Sequence, residues 1–400
     1  MSRTVFTGAR IFDGSGSDPA PGELVVEDGR IVDVGGGLDG DESVDLSGLT
    51  ILPGLFDCHV HVVLTNVDHW RVLNLPFSYR FYEAAANLRA TLAGGITTVR
   101  DAGGADLGIK RALADGLIAG PRLQISLAML SQTGGHGDDW MPYGGEVPLL
   151  PSHPGVPPVI VDGTDEMRRK VRELIRMGAD VIKVGTSGGV LSSRDDPRHA
   201  HFRPAELDVL VEEATAAGRS VMAHAQAAEG IKNAIRAGIR SIEHGIYLDD
   251  EAIALMLDRG IWLVATLVAP MGVIEAAEAG AQIPEAALEK ARLVVDSHRE
   301  SFRRAVAAGV RIAMGTDSGV TAHGRNLREL GLMADAGMAP ADVLVATTRS
   351  AAELLGVVDD VGTIEPGKIA DLTVVSGDPY DFADYPDRVE AVYQAGRKVA

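Results

Sequence analysis

Between about residue 53 and residue 356, short apolar runs alternate with amphipathic stretches, and this alternation constrains the fold more than any other feature. The runs are LFDCHVHVV, TTVRDAG, RLQISLAML, DVIKVGTSG, SVMAHAQ, SIEHG, IWLVATL and RIAMGTDSG. Stretches such as DEMRRKVRELIRMG and PAELDVLVEEATAAG lie between them. The second opens on a Pro suited to a first helical turn and closes on Gly. Eight strand-like runs separated by helices argue for repeated βα units. Over roughly 300 residues, the expected fold is an α/β (β/α)₈ TIM barrel. A doubly wound open sheet is the alternative.

The two ends read differently. Arg3 to Phe12 alternates, and ELVVEDGRIVDVG has the pattern of a hairpin turning at Asp28-Gly29. Near the other end, DLTVVSGDP and VEAVYQAGRKVA resemble these strands. A small sheet domain built from both termini, residues 1–52 and 357–400, is therefore expected beside a barrel of residues 53–356.

Composition narrows the function classes. Lys plus Arg number 37 against 56 Asp plus Glu, a net charge of −19. Such a surface disfavours nucleic acid and anionic membranes as partners. Cys58 is the one cysteine, so no disulfide within the chain can form, and a reducing compartment is expected. The N-terminal segment lacks the apolar core of a signal peptide. No run of about 18 apolar residues suggests a membrane span. The expectation is a cytoplasmic homo-oligomer acting on a small-molecule substrate.

Polar residues at the ends of the predicted strands carry the chemistry, because a barrel builds its active site at that face. His59 and His61 stand two apart in DCHVHV, and residues i and i+2 of a strand share a face. Cys58 then points the other way and reads as a buried structural thiol. His224 ends SVMAHAQ, His244 ends SIEHG, and Asp317 sits in AMGTDSG. A bland strand would carry Val or Ile at each place. Imidazoles plus a carboxylate suit zinc and similar divalent ions. Lys183 is flanked by Val181, Ile182 and Val184. A charged amine there is costly unless paired or neutralised. Two readings fit: an ion pair inside the barrel, or an amine that has taken up carbon dioxide to become a bridging carbamate.

These pieces, in order, resemble the amidohydrolase superfamily in its binuclear branch with a carboxylated lysine. They are LPGLFDCHVH, GITTVRDAGG, IKVGTSGG, AHAQ, IEHG, GTDSG and the tail GTIEPGKIADLTVVSGDP. Within it the chain is similar to the Xaa-Pro and Xaa-Arg/Lys dipeptidases and to the fungal ochratoxin-hydrolysing amidase. TGGHGD (Thr133 to Asp138), TSGGVLSSRDDPRHAHF (Thr186 to Phe202), EHGIYLDD and GTDSGVTAHGRN carry that second resemblance.

The resemblance implies a barrel plus a small β-sandwich, two divalent metal ions, and hydrolysis of an amide bond. His59, His61 and Asp317 would bind the more buried ion, and His224 and His244 the other. Carboxylated Lys183 would bridge them. Zinc is the default, with manganese or cobalt able to serve. His136 and Tyr247 match positions that meet the substrate's carbonyl or C-terminal carboxylate. His136 also fits a Gly-rich turn, and Tyr247 a packed aromatic. His323, six residues past Asp317, fits ligand support or substrate contact. His69 fits the pocket or packing beside it, His153 is in a Pro-rich loop, and His199 and His201 follow GGVLSS. His298, in VVDSHRESFRRAV, is expected on the surface.

The implied mechanism is attack by a metal-bridging hydroxide, with Asp317 as general base and then acid. His136 or Tyr247 would meet the oxyanion. A dipeptide or N-acyl amino acid with a free carboxylate is the expected substrate. A cyclic amide, lactone, carbamate or organophosphate on the same site is the alternative. Lys183 argues against a single-metal deaminase, and a full ligand set argues against a non-catalytic scaffold. Arg194 and Arg198 read as solvated loop charges near the mouth.

Overall fold

The structure, a computed structural model, describes residues 3–192 and 194–400. The predicted alternation of strands and helices is present. Leu55–Val60, Ile96–Asp101 and Arg122–Ile125 form a three-stranded sheet, paired in chain order. Met129–Leu130, Val181–Gly185, Ser220–Ala225, Ser241–His244, Trp262–Val264 and Arg311–Ile312 form a six-stranded sheet, again in chain order. Every pairing in both is parallel. The run RLQISLAML contributes to both sheets: its first half pairs with Ile96–Asp101 and its second with Val181–Gly185. At the other edge, Cys58 N donates to Met314 O at 2.9 Å, and Asp317 N donates to His59 O at 2.7 Å.

The helices between strands follow local signals. Pro204–Ala216 opens on its Pro, and Arg203 N donates to the Glu206 carboxylate at 2.7 Å. Asp250–Arg259 is capped by the Asp249 side chain, which accepts from Ala252 N, and it ends at Gly260 in the left-handed region. Apolar side chains from strands and helices bury together, Val99, Leu130, Ile182, Ile242 and Leu263 among them. The strand faces are thus covered, and their polar end residues are left as the places where the chain departs from hydrocarbon.

Strands from both termini lie in one eight-stranded mixed sheet. Leu49–Pro53 pairs antiparallel with Leu372–Ser376, which ties the chain ends together. Ala20–Glu27 and Arg30–Gly35 form the expected hairpin, turning at Asp28 (φ 53°) and Gly29 (φ 77°). This sheet has its own core of Phe6, Leu24, Ile31, Ile51, Leu372 and Val374. Among the described residues no helix is long and apolar enough to cross a membrane.

Candidate active site

The six residues singled out as metal ligands all line one open cavity of about 1230 Å³. His59 and His61 stand at the end of Leu55–Val60, as the two-residue spacing predicts. Lys183 lies in Val181–Gly185, His224 in Ser220–Ala225, and His244 ends Ser241–His244. His244 (φ 71°) and Asp317 (φ 61°) adopt left-handed backbone conformations, which for residues other than Gly and Asn are strained and concentrate at functional sites. Gly315 permits a close approach: a Cβ there would press on the His59 Cβ at 3.0 Å.

Donor atoms of His59, His244 and Asp317 all lie within 4.8 Å of one another. Ring centroids run from His61 to His59 at 5.7 Å, His59 to His244 at 5.0 Å and His244 to His224 at 4.7 Å. Each ring is held from behind. His59 Nδ1 lies 2.8 Å from the Glu243 carboxylate, and His61 Nδ1 lies 2.8 Å from Gly103 O. His244 Nδ1 lies 2.7 Å from the Thr266 hydroxyl, and His224 Nε2 lies 3.1 Å from Gly188 O. A ring nitrogen facing a carboxylate or carbonyl must donate, so the opposite nitrogen keeps its lone pair for the cavity.

Burial sets the charge states. It holds His59, His224 and His244 well below the ordinary histidine pKa, with neighbouring cationic groups adding to the effect. Burial also works against a charged His61, but the Asp317 carboxylate beside it leaves that pKa raised. Burial alone would raise Asp317, yet His59, His61 and Lys183 hold it well below the usual carboxylate range. Burial pushes the Lys183 amine down to about 8.

These features test the fit of a metal. Neutral His59 donates through Nδ1, so its Nε2 lone pair faces Asp317 Oδ1 at 3.6 Å. Lys183 Nζ is buried and without a hydrogen-bond partner, and buried Asp317 Oδ1 has the His61 ring nitrogen near it at 3.3 Å. The His59 lone pair and the carboxylate oxygen it faces repel unless a cation stands between them. An unpartnered buried amine beside them is costly as ammonium. The residues fit a divalent ion set, and Lys183 fits conversion to an anionic ligand.

The support behind the ligands escaped sequence reading. Arg100 is buried, and it donates to Cys58 O, to the Ser241 hydroxyl and to Glu243 at 2.9 Å. Buried Asp57 accepts from Thr316 Oγ1, Asn326 Nδ2 and two backbone amides. Desolvation pushes it up to about 6. His323 supports rather than lines the site: its Nε2 lies 3.0 Å from Leu64 O and 3.3 Å from His61 O. His298 departs from its expected surface position. It is buried, lines the cavity, and places Nε2 3.0 Å from His244 O and 2.8 Å from Ala265 O. Its helix, Glu285–Ala308, buries Val294, His298 and Phe302 at a spacing of four. That periodicity was the available signal.

His136 lines the cavity and stacks on His224, centroids 4.2 Å apart at 17°. Tyr247 is half-buried and packs in the cluster of Val67, Val190, Ile246 and Val273, and it is not among the cavity-lining residues. His69 lines the cavity, whereas His153 packs edge-on to Phe77 and Phe81. Arg198 pairs with Asp196, and Arg194 lies over the Trp140 ring. Cys58 is buried, as expected of a structural thiol.

A cluster of imidazoles, a lysine and an aspartate gathered at the ends of parallel strands belongs to a class of hydrolases. This chain is a hydrolase of the amidohydrolase family, whose model matches residues 50–399. It is 36% identical over 366 residues to the ochratoxinase of Aspergillus niger, a match spanning 87% of this chain and 75% of that protein. A solved Xaa-Pro dipeptidase with methionine bound in its active site is 33% identical, with a TM-score of 0.90 over 100% of both chains. A prolidase complexed with N-methylphosphonate-L-proline is 34% identical, with a TM-score of 0.90 over 99% of each chain.

Proposed function

We propose that this hydrolase is a binuclear metal enzyme that cleaves the amide of a dipeptide or N-acyl amino acid with a free carboxylate. The observation that carries this reading is the lone pair of neutral His59 facing the buried oxygen of Asp317 at 3.6 Å, beside unpartnered Lys183. In this reading the two parallel sheets close into one (β/α)₈ barrel over residues 53–356. Residues 1–52 and 357–400 curl into the small β-sandwich.

His59, His61 and Asp317 would hold one ion, His224 and His244 the second, and carboxylated Lys183 both. Two divalent ions supply Lewis-acid activation of water and of a carbonyl. The chain's own residues do the rest. Asp317, held in its anionic form, takes a proton from the attacking water on its carboxylate and passes it to the leaving amine nitrogen. Ser192 occupies His136 Nδ1 at 2.8 Å, so Nε2 is the ring nitrogen left to face the substrate, and it donates to a substrate oxygen only while the ring carries both protons. Leu149, Leu150, Val156 and Val273 wall the cavity, exclude water and favour an apolar acyl side chain.

One observation favours a second reading. Apart from Lys183, the described lining residues include no Lys or Arg, so a substrate carboxylate meets only neutral donors and bound cations. An uncharged amide, cyclic amide or ester would fit such a wall.

One experiment tests both. Elemental analysis should find about two divalent ions per chain. A panel of dipeptides and N-acyl amino acids, each free and carboxyl-capped, should show capping to lower kcat/KM by about tenfold to a thousandfold. Equal rates for capped and free substrates would reject the carboxylate reading in favour of the second.

A further inference from the structure

We propose that Asp195, anchored by Lys290, is a positioning residue for His136, fixing its ring against His224 so that its reach into the cavity is set by a second loop and a distant helix. This rests on the reading of His136 as a substrate-facing group.

Three separate elements meet here. His136 follows Met129–Leu130, Gly189, Ser192 and Asp195 follow Val181–Gly185, and Lys290 belongs to the helix Glu285–Ala308. One face of the His136 ring stacks on His224. The other lies against Gly189, where an added Cβ would overlap the ring. His136 Nδ1 is 2.8 Å from Ser192 Oγ and 3.5 Å from Asp195 Oδ2, and the Ser192 hydroxyl donates to Asp195. That hydroxyl has a single proton, so His136 Nδ1–H must donate to Ser192, which commits this nitrogen and leaves Nε2 for the cavity.

The carboxylate behind this relay is itself immobilised. The Asp195 side chain is 2% exposed. It accepts from Gly189 N at 3.1 Å and from Lys290 Nζ at 3.0 Å. Lys290 also donates to Gly189 O at 3.0 Å and Ser192 O at 2.7 Å. Charge-assisted bonds of this kind are short and directional. Burying a carboxylate and an ammonium is costly, and tethering a loop does not require it. What the arrangement does achieve is a single ring orientation, in the way a carboxylate behind a histidine fixes its tautomer and aim.

The test uses zinc-loaded protein labelled with ¹⁵N in histidine, with His136→Gln assigning the His136 ring signals. In Asp195→Asn and in Gly189→Ala those signals should shift while the zinc content stays that of the parent. On the best dipeptide of the panel, Asp195→Asn should lower kcat by about tenfold to a hundredfold with KM little changed. It should cause no further loss in a His136→Gln background. Should Asp195→Asn fail to fold, Lys290→Met removes only the anchor and must move the same ring signals. Unmoved signals, or an Asp195→Asn loss equally large without His136, would overturn the proposal. If the parent cleaves no member of the panel, the dipeptide reading fails, and the ring spectra still decide this one.

Discussion

The two sides of the site are built from the same imidazoles but supported by different chemistry. Behind His59 stands a buried carboxylate, Glu243, itself held by Arg100. Buried Asp57 and Asp101 bind the backbone amides of His59 and Val62 on that side. Behind His244 and His224 stand only a hydroxyl and a carbonyl, with His298 bonded to the His244 carbonyl. A carboxylate behind an imidazole both fixes the tautomer and raises the basicity of the cavity-facing nitrogen, whereas a neutral acceptor mainly fixes the tautomer. The first side therefore has a charged carboxylate behind His59, while His61 is held by a carbonyl. The second is neutral, and it adjoins the loop that also carries the His136 clamp.

The largest expected effect lies on the first side. In the proposed mechanism Asp317→Asn removes both a ligand charge and the proton carrier. It should lower kcat by about a hundredfold to ten thousandfold, read on the best panel substrate alongside the metal content. An Asn variant with parental kcat would remove Asp317 from the chemistry and leave the two sides equivalent.

The next pair measures the asymmetry directly. Glu243→Gln should weaken zinc binding by about tenfold to a hundredfold, the usual cost of removing such a partner. Thr266→Val, on the other side, removes one neutral hydrogen bond. About 1 kcal/mol, or roughly fivefold, is expected there. Both are read by competition with a chromophoric chelator. Equal losses would break the comparison, and a larger loss from Thr266→Val would reverse it.

The sequence exposes the candidate ligands more readily than what stands behind them, and the reason is physical. A strand alternates its faces, so His59 and His61 can be placed together from spacing alone. The apolar runs likewise mark the strands, and Asp28-Gly29 marks its hairpin. Glu243 sits beside His244 in the same strand, but its partners His59 and Arg100 come from two other strands. Only the way the two parallel sheets meet brings them together, and that is not local information. The clamp on His136 draws on three distant segments for the same reason. Tyr247 shows the converse: its motif is intact, while its ring packs in an apolar cluster beside the cavity wall. His298 was readable in principle, since it falls on the buried stripe of its helix. The charges around it in HRESFRR pointed to a surface instead.

The smallest effect sharpens the comparison from the neutral side. Burial lowers the His298 pKa to about 4, only partly offset by the Ala265 and His244 carbonyls. The unfolded chain takes up that proton at the ordinary histidine pKa of about 6.5, while the folded chain resists until about 4. The stability this group contributes is therefore fully present above about pH 6.5 and is lost as the pH falls toward 4. At pH 5.5 the loss is about 1 kcal/mol. His298→Gln retains an N–H donor for the two carbonyls and cannot titrate. Thermal unfolding at pH 7.5 and 5.5 should thus show a smaller acid drop in the variant, by on the order of 2 °C. The other buried histidines titrate in both proteins, so the difference isolates His298. If parent and variant lose stability in parallel, the neutral side is no more acid-sensitive than the charged one, and the contrast between them rests on metal affinity alone.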